Sequence, residues 1–83
     1  MSQETKWLLD WFSRNAENNG LSEDELLSAN FLEAKIIDSL RIVELVVDIE
    51  THFDISFTQD QFQDDRFATI QGLAAIVAEL KAA

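Results

Sequence analysis

An all-α fold is what the sequence predicts, on three observations. Apolar residues recur at three- and four-residue spacing in three long segments, residues 3–18, 39–51 and 70–80. Helix-start signals stand before the second and third of these and before two shorter segments, at Ser22, Asp38-Ser39, Thr58 and Thr69. The alternation a strand needs is confined to Phe53-Asp54-Ile55-Ser56-Phe57, which reads as an extended crossing between helices.

The first helix presents Trp7, Leu8, Trp11, Phe12 and Ala16 as neighbouring rows of one face. In so small a domain that spacing assigns both tryptophans to the core rather than to a partner-binding ridge. Asn18-Asn19-Gly20 tolerates left-handed backbone angles and ends the helix. A short helical turn starts next, because Ser22 and Glu25 fit a capping box and Leu21 and Leu26 fit a hydrophobic staple. Acidic Glu23, Asp24 and Glu25 suit a first helical turn through the dipole alone, and their spacing does not fit a calcium loop. Residues 28–37 lose periodicity and read as a long loop with Phe31 and Leu32 as buried anchors.

From Ser39 to about Thr51 the third helical segment carries Leu40, Ile42, Val43, Leu45, Val46, Val47 and Ile49, too many apolar positions for one stripe. Turning Ile42, Leu45, Val46 and Ile49 inward leaves Leu40, Val43 and Val47 outside, beside Arg41, Glu44 and Asp48. Aliphatic anchors with charged flanks make a protein-docking surface. His52 lies near the helix end, where a cation-capable residue suits the negative dipole end. Thr58 and Gln61 repeat the capping box, with Phe57 and Phe62 as the staple, before a short helix. Asp64-Asp65-Arg66-Phe67-Ala68 reads as a polar connection. In the last helix Ile70, Leu73, Val77 and Leu80 line one face, while Gly72, Ala74, Ala75 and Ala78 permit close approach of a neighbour.

Size and charge narrow the function. A chain of 83 residues has room for one domain, residues 1–83, and one modest core, which favours a binding or carrier module over an enzyme with a large cleft. The absence of cysteine excludes disulfides, thiolate metal sites and side-chain thiol chemistry. The net charge of -10 disfavours nucleic acid and anionic lipid and favours proteins with basic patches. No segment has the length and apolarity to span a bilayer, and the first residues lack the pattern of a signal peptide, so a cytoplasmic location is expected.

The residue pattern singles out Ser39. Its hydroxyl opens a helix, where backbone N–H groups lack partners and the dipole favours negative charge, so an anion built on that oxygen is held well. In the simplest reading Asp38 or Ser39 is an N-cap and nothing more. A hydrolase with Ser39 as nucleophile fails on geometry, because His52 lies roughly 20 Å away along the same helix.

Asp38-Ser39-Leu40, Val43-Glu44-Leu45, Ile49-Glu50, Phe53-Asp54-Ile55 and Thr69-Ile70 together resemble the acyl carrier proteins of the phosphopantetheine-binding family, over nearly the whole chain. The resemblance implies a four-helix bundle with a short third helix and a long loop after helix 1. It implies 4′-phosphopantetheine, taken from coenzyme A, on Ser39 next to Asp38, with acyl groups carried as thioesters on the arm. A phosphopantetheinyl transferase and acyl-loading and acyl-processing enzymes with basic docking patches are the implied partners, met through Leu40, Arg41, Val43, Glu44, Val47 and Asp48. Fatty-acid biosynthesis and specialised acyl metabolism are both open, and a monomer is the simplest state for a carrier that visits several enzymes. Should the acyl chain fold back into the bundle, Leu45, Val46, Ile49, Phe62, Ile70 and Ala74 are candidates for its lining, although such residues more simply form the core.

Two departures distinguish the chain from the fatty-acid-synthesis type. Lys35-Ile36-Ile37 stands where a glycine is common, and Arg41 stands where an acid is common. The Ile-Ile-Asp-Ser-Leu form looks closer to carriers of specialised pathways, the D-alanyl carrier proteins among them. The alternative is an acidic adaptor domain without a prosthetic group, which explains the charge and the exposed valines but gives Ser39 no role.

Overall fold

A computed structural model of the chain describes residues 2–15 and 21–82. It is all-helical, with five α-helices and one 3₁₀ turn in the order α1 (Gln3–Asn15), α2 (Glu23–Ser28), α3 (Ser39–Phe53), α4 (Gln59–Phe62), the 3₁₀ turn (Asp65–Ala68) and α5 (Ile70–Ala82). Among the described residues there is no strand. Three long helices and the short α4 make the expected bundle. The six-residue α2 interrupts the long connection after α1, at the place where the capping box put a helical turn. The expected stop at Asn18-Asn19-Gly20, with Ala16, lies outside the described residues.

Local chemistry sets the helix starts. Ser22 Oγ accepts from the Glu25 N–H at 3.2 Å, and Glu25 Oε1 accepts from the Ser22 N–H at 3.0 Å. The hydrogen bonds from Ser22 hold the Glu25 carboxyl below its usual range. At α4, Gln61 Oε1 accepts from both the Thr58 N–H and its hydroxyl at 2.7 Å, and the Phe57 and Phe62 rings sit 5.8 Å apart as a staple. Thr69 Oγ1 accepts from the Gly72 N–H at 2.9 Å and caps α5. Helix α3 ends on Asp54, whose backbone turns left-handed at φ 54°.

The apolar faces meet in one core. Leu8, Trp11 and Phe12 of α1 pack with Leu45 and Ile49 of α3 and with Ile70, Leu73, Ala74, Ile76 and Val77 of α5. Each large side chain buried in this way contributes roughly 1.5–3 kcal/mol. Trp7 is half-buried, stacked on His52 at 5.0 Å, so the histidine at the end of α3 is an aromatic neighbour of α1. Trp11 is 2% exposed, and its indole N–H, which needs an acceptor when buried, donates to Asp48 Oδ2 at 2.8 Å.

Two expectations are corrected. Leu32 is 40% exposed, not an inward anchor; Phe31, Ile36 and Ile37 fill that role, with the Phe31 N–H donating to the Ala68 carbonyl at 2.9 Å. The segment expected to be a polar connection is a 3₁₀ turn with Phe67 buried, started by Asp64 Oδ1 accepting from the Arg66 N–H. That turn lies directly on α5, where a Cβ added to Gly72 would come within 2.2 Å of the Arg66 carbonyl oxygen.

Arg66 also clamps the turn through its side chain, reaching Asp64 Oδ2 at 2.8 Å and Glu79 Oε2 at 2.6 Å. Hydrogen bonds from this guanidinium hold both carboxyls below their usual range and push the arginine itself up. A lowered carboxyl pKa stabilises the fold above the ordinary carboxylate values, about pH 4, and that contribution is lost as pH falls through the lowered values. Thermal unfolding of Arg66→Gln and the native chain should therefore differ at pH 7 and converge towards pH 3. A difference that stays constant with pH would show that the clamp does not hold these carboxylates ionised.

Candidate functional site

The end of α3 that carries Ser39 is fixed from two directions. Asp38 is its N-cap, with extended backbone, and Asp38 Oδ1 accepts from the Arg41 N–H at 2.9 Å while its carbonyl accepts from the Ile42 N–H. Asp38 thus fills the cap, which leaves Ser39 as the first helical residue with its side chain exposed and in no hydrogen bond among the described residues. Immediately before the cap, Ile36 and Ile37 are 3% and 6% exposed. These two anchors tie the loop to the core, so the hydroxyl stands on a supported corner.

The preceding loop is ordered by its own polar groups. Asn30 Oδ1 accepts from the N–H groups of Leu32 and Glu33 at 3.0 and 2.9 Å, and the Ile36 N–H returns to the Phe31 carbonyl. Lys35 sits in the left-handed region at φ 54°, a conformation few non-glycine residues adopt. Beside Ser39 this arrangement leaves a groove of about 440 Å³ lined by Leu32, Lys35, Ile37, Asp38, Ser39 and Ile42.

Downstream of Ser39, one face of α3 carries Leu40, Val43 and Val47, which are 68%, 60% and 53% exposed. They form a single stripe at spacings of three and four. Arg41 Nη1 pairs with Glu44 Oε2 at 2.8 Å within that face, so the positive charge is partly met by its own neighbour. Asp48 has its carboxylate on the Trp11 indole. On the opposite side of α3, Leu45 and Ile49 are fully buried and Ile42 and Val46 are partly buried against the core.

The six residues singled out for an internal acyl pocket differ in their surroundings. Leu45, Ile49, Ile70 and Ala74 are core, and Val46 packs at its margin. Phe62 is 49% exposed, its ring 5.3 Å from Phe67 at the edge of the short α4. Sequence reasoning passed over Ile36 and Ile37 as anchors and Trp11 as the partner of Asp48. The adjacent isoleucines directly before Asp38-Ser39 were a usable signal, whereas nothing local pairs residue 11 with residue 48.

No group of three or more metal-ligating side chains occurs among the described residues, and no described helix is long and apolar enough to cross a membrane. Residues 16–77 match the family model described as "Phosphopantetheine attachment site". The chain is 30% identical over 57 residues to the D-alanyl carrier protein of Streptococcus mutans serotype c, covering 69% of this chain and 72% of that one. It is 31% identical over 74 residues to the D-alanyl carrier protein of Staphylococcus saprophyticus subsp. saprophyticus, covering 89% and 92%. No solved structure matches.

Proposed function

The chain belongs to the phosphopantetheine attachment site family, and we propose that Ser39 is the residue that takes the prosthetic group and that residues 1–83 act as one carrier domain. It is a carrier rather than an enzyme, and its prosthetic group is covalent 4′-phosphopantetheine. When attached, that group supplies the terminal thiol that a chain with no cysteine lacks.

The exposed hydroxyl of Ser39 at the first position of α3 carries this reading. Asp38 already fills the N-cap, so Ser39 has no structural duty that modification would disturb. Its oxygen becomes one ester oxygen of a phosphodiester. There the free N–H groups of the first helical turn and the dipole favour the negative charge. Ile36 and Ile37 keep the corner from moving with its load.

Recognition falls to the face next to Ser39. Leu40, Val43 and Val47 provide apolar contact to a phosphopantetheinyl transferase and to cargo-loading enzymes, and Glu44 and Asp48 attract basic patches on them. Arg41, paired with Glu44, sets a positive charge in that face and disfavours partners built for a wholly acidic one. The cargo in this reading is a small acyl or aminoacyl group of the D-alanyl type rather than a long fatty chain. Two observations support it: the similarity to D-alanyl carrier proteins, and the complete burial of Leu45, Ile49 and Ile70, which a long chain would have to displace. A cytoplasmic, monomeric carrier is the state that goes with it. The adaptor alternative accounts for the charge and for exposed Val43 and Val47 but gives Ser39 no role.

Loading tests this directly. The modified chain, given ATP and a D-alanine-activating enzyme, should gain one D-alanyl group about tenfold faster or more than it gains a long acyl group from a fatty-acyl-activating enzyme. Val43→Glu should slow the D-alanyl reaction by about tenfold, the worth of about 1.4 kcal/mol at one docking contact. Equal or faster long-chain loading would overturn the cargo assignment.

A further inference from the structure

Most cations of this acidic chain are already engaged. Arg14 pairs with Asp10, Arg41 with Glu44, Arg66 with Asp64 and Glu79, and Lys81 with Glu4. Lys6 and Lys35 form no ion pair or side-chain hydrogen bond among the described residues, and of the two it is Lys35 that stands beside Ser39. It is exposed, and it lines the groove beside Ser39 as well as a smaller one of about 200 Å³ on the α1 side. A left-handed backbone at a lysine carries a cost that asparagine or glycine would lessen.

The larger groove combines that cation with three aliphatic side chains, Leu32, Ile37 and Ile42. Its one acidic residue is Asp38, whose Oδ1 is committed to the Arg41 N–H. At about 440 Å³ it lies within the roughly 300–1,000 Å³ typical of small-ligand sites, and Ser39 itself forms part of its wall. Leu32, which the sequence places inward and the structure leaves 40% exposed, is one of its apolar surfaces.

We propose that this groove is the resting seat of the chain's own prosthetic arm, with Lys35 pairing with the phosphodiester on Ser39 and Leu32, Ile37 and Ile42 receiving the geminal methyl groups of the pantoyl unit. The inference rests on Ser39 as the attachment residue. Tethering makes the occupant available at high effective concentration, so a shallow groove with one exposed ion pair is enough to bias the arm towards the loop side of α3. The cargo end stays free to reach partner enzymes. Docking and release then form an equilibrium that a partner's own basic patch can shift by competing with Lys35 for the phosphodiester.

The experiment uses the full chain carrying an isotope-labelled arm from labelled coenzyme A, with modification at Ser39 confirmed by peptide mass. Nuclear Overhauser contacts are expected between the pantoyl methyl groups and the methyl groups of Leu32 and Ile42. Lys35→Asn, which suits the left-handed backbone, should reduce the docked-to-free ratio roughly two- to fivefold, the worth of one exposed ion pair. Leu32→Ser, at an exposed position, should weaken the same contacts. A chain modified at Ser39 whose arm shows no contact with this groove, or contacts on the Phe62 side instead, overturns this inference and leaves the carrier reading intact. Contacts that Lys35→Asn leaves unchanged remove the lysine from the proposal. A chain that takes no group at Ser39 overturns the attachment reading and the groove with it.

Discussion

Ser39→Ala is expected to abolish carrier function completely while leaving the fold intact. The loss is total because the substitution removes the only atom through which the arm can be attached at this corner. The fold survives because Asp38, not Ser39, caps α3, and the Ser39 side chain makes no hydrogen bond among the described residues. Alanine also favours a helical position over serine by a few tenths of a kcal/mol, roughly, so the midpoint of thermal unfolding should stay level or rise slightly. Asp38→Ala makes the informative contrast. It should cost about 1 kcal/mol of stability through the lost cap, and attachment should continue at a reduced rate. Retained loading of Ser39→Ala, measured as D-alanyl incorporation, would place the working residue elsewhere.

Gly72→Ala is expected to produce the largest loss of stability from a single methyl group. Two effects oppose one another. Helix propensity favours alanine by about 1 kcal/mol. Against it, the new Cβ would lie 2.2 Å from the Arg66 carbonyl oxygen and 2.8 Å from its Cα, atoms of backbone that cannot swing aside. Overpacking of this kind costs roughly 1–3 kcal/mol, and here it also lifts the turn that Arg66 clamps to Glu79. The steric effect should win by up to about 2 kcal/mol net, lowering the unfolding midpoint by up to roughly 15 °C in a domain of this size. Ala75→Ser, on the exposed side of α5, should shift it little. A midpoint that rises in Gly72→Ala would mean that propensity dominates and that the turn yields easily.

Both variants bear on the same design, in which a packed helical frame holds one hydroxyl at an exposed corner. Parts of that frame are legible in the sequence because their causes are local. The capping boxes at Ser22 and Thr58 involve residues three apart; both bonds form at Ser22, and at Thr58 the N–H donates to the Gln61 side chain as the pattern requires. The division of α3 into an inner face with Leu45 and Ile49 and an outer face with Leu40, Val43 and Val47 follows from the helical period alone.

Where burial is decided by distant partners, the sequence is less informative. Leu32 and Ile36 are both apolar residues in an aperiodic loop, yet the folded loop buries Ile36 and leaves Leu32 40% exposed. The charges in Asp64-Asp65-Arg66 conceal a turn whose purpose is to seat Phe67 in the core. Asp48 reads as a docking residue on its own helix, yet its carboxylate bonds to Trp11, 37 positions away in the chain. Lys35 reads as an ordinary loop residue, and only the folded loop brings it to the wall of the Ser39 groove.

The central claim is that Ser39 carries the arm, and peptide mass mapping tests it most directly. The unmodified native chain is incubated with coenzyme A, magnesium and a phosphopantetheinyl transferase that is active on a control carrier, then digested. One phosphopantetheine added to the peptide containing Ser39, and none to that peptide in Ser39→Ala, is the predicted result. An unmodified Ser39 peptide, or the group found on any other serine, would contradict it.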